Sequence, residues 1–181
     1  METIRRYFHS PIAVLGLVLL ALVCAGALGA GLWYPKNPLS LAGRPLQWPG
    51  ENARFLLGTD QVGRDIASQI LHGARVTLAI GLVATLLSVL IGVTLGAVAG
   101  YYGGAIDDLL MRVTEAFQIL PNFLLLLVLV AVFGSDLHTV VLAIGLVSWP
   151  PVARLTRSEF LTLKAREFVQ AGRALGWATC A

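Results

Sequence analysis

Four long apolar runs alternate with polar segments along this chain. An α-helix rises about 1.5 Å per residue, so about 20 apolar residues cross a hydrocarbon core of about 30 Å. The first three runs contain no charged side chain. The pattern predicts an all-α integral membrane protein, a helical bundle with four transmembrane helices. The predicted spans are residues 12–34, 76–102, 116–134 and 139–157.

The longest polar segment, residues 35–75, joins the first two runs and is rich in proline and glycine. This composition predicts a periplasmic loop. Its last part, residues 59–75, is predicted to be an amphipathic helix in the membrane interface, because apolar residues recur there at four-residue spacing. The recurring residues are Val62, Ile66 and Ile70, and Thr59 or Asp60 supplies the N-cap.

Three segments are expected in the cytoplasm: the N-terminus 1–11, a turn and helix start at 103–115, and the polar tail 158–181. In the second segment Asp107 and Asp108 are expected near a helix N-terminus, where the helix dipole favours carboxylates. This orientation gives the cytoplasmic side eight basic residues and the opposite side five. The positive-inside rule therefore predicts a cytoplasmic N-terminus.

Small residues recur every four positions in the second run, which predicts one smooth face for close helix packing. The alternative is that glycine is simply common in membrane helices. The predicted packing residues are Ser88, Gly92, Gly96 and Gly100. In the third run, the amides Gln118 and Asn122 lie at i and i+4, so both are expected to point into the bundle. The two amides are expected either to line a translocation path or to hydrogen-bond between helices, and their spacing does not distinguish these two roles.

Composition narrows the class further. The chain has 181 residues, of which 57% are hydrophobic and 13% charged. Soluble domains carry about 25% charged residues, so this chain has too little polar surface for a soluble globule. The formal net charge of +3 is spread out, which argues against nucleic-acid binding. For the first run, a cleaved signal peptide is the alternative to a span.

The sequence shows none of the usual patterns of enzyme chemistry. It lacks a GxxxxGK[ST] phosphate loop, and its three histidines are far apart. Cys24 and Cys180 have neither metal-ligand nor disulfide-framework spacing. We therefore expect no catalytic residues, no metal and no cofactor. The tail 158–181 is polar and basic, so it either lies on a lipid surface or transmits force to a soluble partner.

Three motifs resemble those of one family. They are LGTDQVGRD at 57–65 followed by GARVTL at 73–78, GYYGG at 100–104 followed by Asp107 and Met111-Arg112, and the EAA-type segment with Gln170-Ala171-Gly172 and Gly176. Together they resemble the inner-membrane permease subunits of ABC importers in the dipeptide, oligopeptide and nickel group. Gln170 and Gly172 depart from the usual Glu-Ala-Ala, and glycine costs about 1 kcal/mol of helix propensity relative to alanine.

The resemblance implies a transport role without enzyme activity of the chain's own. The expected cargo is di- and oligopeptides; the alternatives are nickel or another small solute, a channel or secondary transporter, a lipid-surface helix, or a non-functional fragment. Relatives have two more spans, so 76–181 is expected to be the N-terminal part of the permease domain and the chain to be truncated. The implied partners are a second permease subunit forming a heterodimer, cytoplasmic ATP-binding subunits, a periplasmic or lipid-anchored substrate-binding protein, and the membrane. The implied ATPase-coupling residues are Arg166, Glu167, Phe168, Gln170, Ala171, Gly172, Arg173 and Gly176.

Overall fold

The computed structural model describes residues 10–174, and all regular secondary structure within them is helical. The helices are α1 (Pro11–Trp33), α2 (Ile66–Tyr102), α3 (Gly104–Ile119), α4 (Asn122–Phe133), α5 (Leu137–Lys164) and α6 (Glu167–Ala174). The chain divides into two compact units, Met1–Ala79 and Ile80–Ala181, and α2 contributes residues to both.

Three of these helices are long and apolar enough to cross a membrane: α1, α2 and α5. Together, α3 and α4 also reach the required length and hydropathy, but they are bent by 82° at the break between them. The described part of the chain therefore contains three candidate spans, or four if the bent pair forms one. Most side chains of α1 are exposed apolar groups, as expected for a helix in contact with lipid.

In the first unit, α1 begins with Pro11, whose fixed φ suits the first helical position. Ala27 and Ala30 are its buried residues. A Cβ added to Gly26 would lie 3.1 Å from Cδ2 of Leu71, so the second half of α1 packs on the first turns of α2.

The helix expected at 59–75 begins later than predicted. Asp60 Oδ1 accepts hydrogen bonds of 2.9 Å from the backbone N–H groups of Val62 and Arg64, which fold these residues into a tight turn. Gly63 has a φ of +83°, which a right-handed helix cannot contain. Asp65, not Thr59 or Asp60, caps α2 through a 2.9 Å bond from the N–H of Ala67.

From Ile66 the helix continues without interruption to Tyr102, a length of 37 residues. The predicted interfacial helix and the predicted second span are therefore one helix. Gly73, near the end of the predicted interfacial helix, has no atom within 4 Å of an added Cβ and remains helical. Nothing in the sequence between 70 and 80 removes a backbone hydrogen bond, because proline is absent there.

The third predicted span is interrupted in the structure. Leu120 adopts an extended conformation with ψ of 131°, as expected for a residue before proline, and Pro121 has no N–H to donate. The helix therefore ends at Ile119 and restarts at Asn122. Gln118 and Asn122 lie on opposite sides of this break, so the prediction that they share one helix face is wrong.

By contrast, α5 continues through Pro150 and Pro151 to Lys164. Residues 158–164, predicted to start the tail segment, are thus the end of α5. Both α3 and α4 pack against α5. The ring of Phe117 in α3 contacts that of Trp149 in α5 edge to face, at 5.4 Å between centroids.

Candidate functional site

The predicted small-residue stripe of α2 lies against α5. A Cβ added to Gly100 would lie 2.5 Å from the Cβ of Phe160, closer than real Cβ atoms approach. Gly92 and Gly96 leave similarly little room, and the side chain of Ser88 is buried. The two helices therefore touch at the level of their backbones, which is how glycine faces act in membrane helices.

An ion pair joins α3 to the last turns of α5. Arg157 Nε donates to Asp107 Oδ1, and its terminal nitrogen Nη2 donates to Asp107 Oδ2 at 2.6 Å. Asp107 is 7% exposed. Two parallel bonds between a guanidinium and a carboxylate fix orientation as well as distance. The pair therefore sets how the end of α5 sits on the first turn of α3.

A second polar contact lies nearer the end of α5. The Lys164 ammonium donates to the backbone carbonyl of Tyr101, in the last turn of α2, and stands 5.6 Å from the centroid of the Tyr101 ring. The C-terminal end of a helix carries partial negative charge, which a lysine at this position complements.

Immediately after Lys164 the chain turns into α6. Phe168 is 63% exposed, whereas Gly172 is buried. The amide nitrogen of Gln170 donates to the carbonyl of Ala165 at 3.3 Å, which ties the helix to the turn before it. Of the remaining predicted coupling residues, Arg166, Glu167 and Ala171 are exposed, the side chain of Arg173 is not described, and Gly176 lies outside the described residues.

The amides of the predicted path flank the α3–α4 break. Gln118 is half-buried, near the C-terminus of α3, and Asn122 is exposed, at the first position of α4. Helix ends leave backbone groups without intrahelical partners. The break therefore places two side-chain amides beside two helix ends in one stretch of an otherwise apolar sequence.

The first unit contains a cavity of about 250 Å³ at the C-terminal end of α1. Trp33, Tyr34, Phe55 and Asp65 are among its lining residues. Burial raises the pKa of the Tyr34 phenol, and the nearby Asp65 carboxylate raises it further. Both effects favour the neutral form of the phenol.

Within residues 10–174, no group of three His, Cys, Asp or Glu side chains is placed to hold a metal ion. Cys24 is a free, half-buried thiol in α1. Cys180 lies outside the described residues.

Sequence reasoning placed Asp107 at a helix N-terminus but missed its partner. Asp107 and Arg157 are 50 residues apart, so no local spacing rule connects them. A signal was nevertheless present, because each is an ionisable residue beside a long apolar run. Such residues in membrane proteins are usually paired with one another.

The all-α architecture and the apolar helices define an integral membrane protein. Comparison with known protein families shows which family the second half of the chain matches. Residues 92–179 match the family described as binding-protein-dependent transport system inner membrane component. This stretch belongs to the family, and the chain is an integral protein of the inner membrane.

Individual relatives are similar over nearly the whole chain. The di/tripeptide transport system permease of Pseudomonas aeruginosa is 38% identical over 97% of the chain. The dipeptide permease of Haemophilus influenzae is 35% identical over 91% of the chain, and the glutathione permease of Pectobacterium atrosepticum is 35% identical over 95%. The chain spans 57–59% of the length of these relatives.

Proposed function

We propose that this chain is part of the permease of an ATP-driven importer that carries short peptides, of the di- and oligopeptide class, across the inner membrane. The observation that carries the proposal is its similarity to permeases named for dipeptides, for di- and tripeptides and for glutathione. Glutathione is itself a tripeptide, so the three named cargoes belong to one chemical class. They favour peptides over nickel.

In this proposal the peptide path runs beside the α3–α4 break. Non-helical backbone at membrane depth is tolerated where it is buried in protein or lines a water-filled cavity. Gln118 and Asn122 supply amide donors and acceptors there, which suit the backbone of a peptide. A second permease subunit, forming a heterodimer, completes the path, and a periplasmic or lipid-anchored binding protein delivers the peptide.

The energy source in this proposal is a separate cytoplasmic ATPase subunit that binds α6. The larger number of basic residues on the side of the termini supports a cytoplasmic position for α6 and for the N-terminus. Phe168 is an apolar side chain exposed on a short polar helix, beside Glu167 and Gln170. An apolar anchor with a polar rim is the pattern of a helix that docks in a partner's groove.

The decisive experiment is co-purification of the ATPase subunits with the tagged chain. Phe168→Glu puts a charge on the proposed anchor, and Trp48→Glu makes the same change at another exposed aromatic residue. Loss of an interface anchor costs about 2 kcal/mol or more, which is about 30-fold in affinity. We expect only Phe168→Glu to lose the ATPase. Equal retention by both variants contradicts the docking role, and binding of α6 to anionic vesicles without ATPase indicates a lipid-surface helix.

Cargo is tested separately, by uptake of a radiolabelled dipeptide into cells or proteoliposomes that hold the assembled transporter. Unlabelled di- and tripeptides should compete, and Ni²⁺ should not. Competition by Ni²⁺ alone assigns the transporter to the nickel members of the group.

A further inference from the structure

Two polar contacts and a glycine face hold the end of α5 from both sides. The Arg157 guanidinium donates hydrogen bonds to Asp107 of α3, and the Lys164 ammonium donates one to the Tyr101 carbonyl of α2. Gly100 of α2 lies between these contacts, against the backbone of Arg157 and the Cβ of Phe160. The seven helical steps from Arg157 to Lys164 span about 10 Å. All these contacts therefore lie within about two turns of the point where α5 passes into α6.

From this arrangement we propose that the Asp107–Arg157 ion pair and the Lys164–Tyr101 contact form a mechanical linkage. Through this linkage, displacement of α6 moves the last turn of α2 and the first turn of α3. The inference rests on the proposed function in assigning α6 to an ATPase partner. Asp107 and Arg157 act in it as positioning residues, since nothing places them against cargo or nucleotide.

The chemistry of the pair suits a mechanical link better than a stabilising one. Asp107 is buried and Arg157 half-buried, so the pair loses hydration mainly on the carboxylate, and ion pairs that lose hydration often add little net stability. What the pair supplies is a fixed geometry, because the forked bonds hold the guanidinium in the plane of the carboxylate. The Gly100–Phe160 contact prevents the helices from approaching further.

The linkage ends at the break between α3 and α4. Movement of the first turn of α3 is carried along that helix to Ile119, where α3 ends at the break before Pro121. Because α3 and α4 each pack on α5 and are joined only through the break, the break is the place where the two can move relative to each other. Displacement of α6 would therefore reach the residues flanking the break, Gln118 and Asn122.

The test measures the link first in the chain alone. Spin labels on Ala105→Cys and Ala171→Cys, both exposed sites, report the α3-to-α6 distance in nanodiscs after Cys24 and Cys180 are changed to serine. We expect Asp107→Asn to broaden the distance distribution. The matched control Asp108→Asn removes an equal charge from the neighbouring exposed residue and should leave the distribution unchanged. Equal widths in the two variants overturn the proposal.

A charge-swapped double variant, Asp107→Arg with Arg157→Asp, guards against general misfolding. We expect it to recover a narrower distribution than Asp107→Asn, and failure to do so together with normal insertion counts against the link. Lys164→Met, which keeps the aliphatic stem, should broaden the distribution to a smaller extent. No broadening with Lys164→Met removes that contact from the linkage.

A second readout uses the assembled transporter. Asp107→Asn should keep the ATPase subunits bound and basal ATP hydrolysis intact, but lose stimulation by peptide-loaded binding protein by about fivefold or more, the scale of typical coupling between sites. If wild-type protein binds no ATPase while the spin-label result holds, the proposed function fails and the linkage stands. If the wild type is stimulated and Asp107→Asn is stimulated equally, the linkage fails alone.

Discussion

Gly96 of α2 lies directly against Ala153 of α5. A Cβ on Gly96 would overlap the Ala153 carbonyl oxygen, and Ala153 itself is fully buried. Gly81, in the same helix, has no atom within 4 Å of an added Cβ. Both glycines lie in α2, but only Gly96 faces a neighbouring helix. Comparing substitutions at the two positions therefore distinguishes the effect of helix packing from that of helix propensity.

We predict opposite effects for Gly96→Ala and Gly81→Ala on the free energy of unfolding. The first forces the helices apart and should destabilise by about 1–3 kcal/mol, the usual range for overpacking. The second meets open space and should be neutral, or stabilising by up to about 1 kcal/mol, since alanine is the better helix former. Unfolding by denaturing detergent, followed by circular dichroism, measures both. Equal effects would show that α2 and α5 do not pack closely in the membrane.

Thr59 is the hydrogen-bonding centre of the loop between α1 and α2. Its hydroxyl donates to the Arg44 carbonyl at 2.6 Å and accepts from the Gln47 N–H at 3.0 Å, and the residue is 3% exposed. Thr59→Val keeps the shape and removes both bonds, leaving two backbone groups unpaired. An unpaired buried group costs about 1–3 kcal/mol, and these two bonds are part-buried, so the expected cost lies at the lower end of that range.

The expected result is faster amide hydrogen exchange at Gln47 in Thr59→Val. Thr77→Val, the same change at an exposed position of α2, is the control and should leave that amide unchanged. Unaltered protection at Gln47 in both variants would contradict the assigned role of the Thr59 hydroxyl.

The sequence predicts the approximate positions of the long helices because a helix that crosses the hydrocarbon core needs a continuous apolar run of about 20 residues. It predicts the start of α2 poorly. Asp60 and Asp65 are equally good caps by residue type, and the choice between them depends on the positive φ of Gly63 and on contacts with residues near 43–47. Local rules cannot weigh such contacts, which come from a distant part of the chain.

Proline likewise has two different outcomes in this chain. Pro121 ends a helix, whereas α5 continues through Pro150, which is buried against neighbouring residues. Tertiary packing can hold a helix together where backbone hydrogen bonds are missing. The same limit applies to Asp107, whose charge is visible in the sequence but whose partner is fixed only by the packing of α3 on α5.

The pH response of the loop follows from Asp60. The backbone N–H of Arg64 and then that of Val62 hold the pKa of the Asp60 carboxyl below its usual value. A lowered pKa means that this stabilisation is fully present above about pH 3.9, the unfolded reference, and is lost as pH falls through the still lower folded value. NMR titration of the Arg64 and Val62 amides should give a midpoint below 3.9. Asp60→Asn should abolish that step, and a midpoint at or above 3.9 would contradict the turn.

The break between α3 and α4 depends on Pro121, and its removal should straighten the pair. In Pro121→Ala an N–H becomes available at 121 and the restriction on Leu120 is lifted, and alanine is favoured over proline inside a helix by about 3 kcal/mol. We predict a rise in helicity and a longer distance between spin labels on exposed positions of the two helices, such as 105 and 132. Pro151→Ala is the control, since α5 is already continuous there and should keep its length. If both variants leave the 105–132 distance unchanged, the bend is set by the packing of α3 and α4 on α5, and Pro121 only accommodates it.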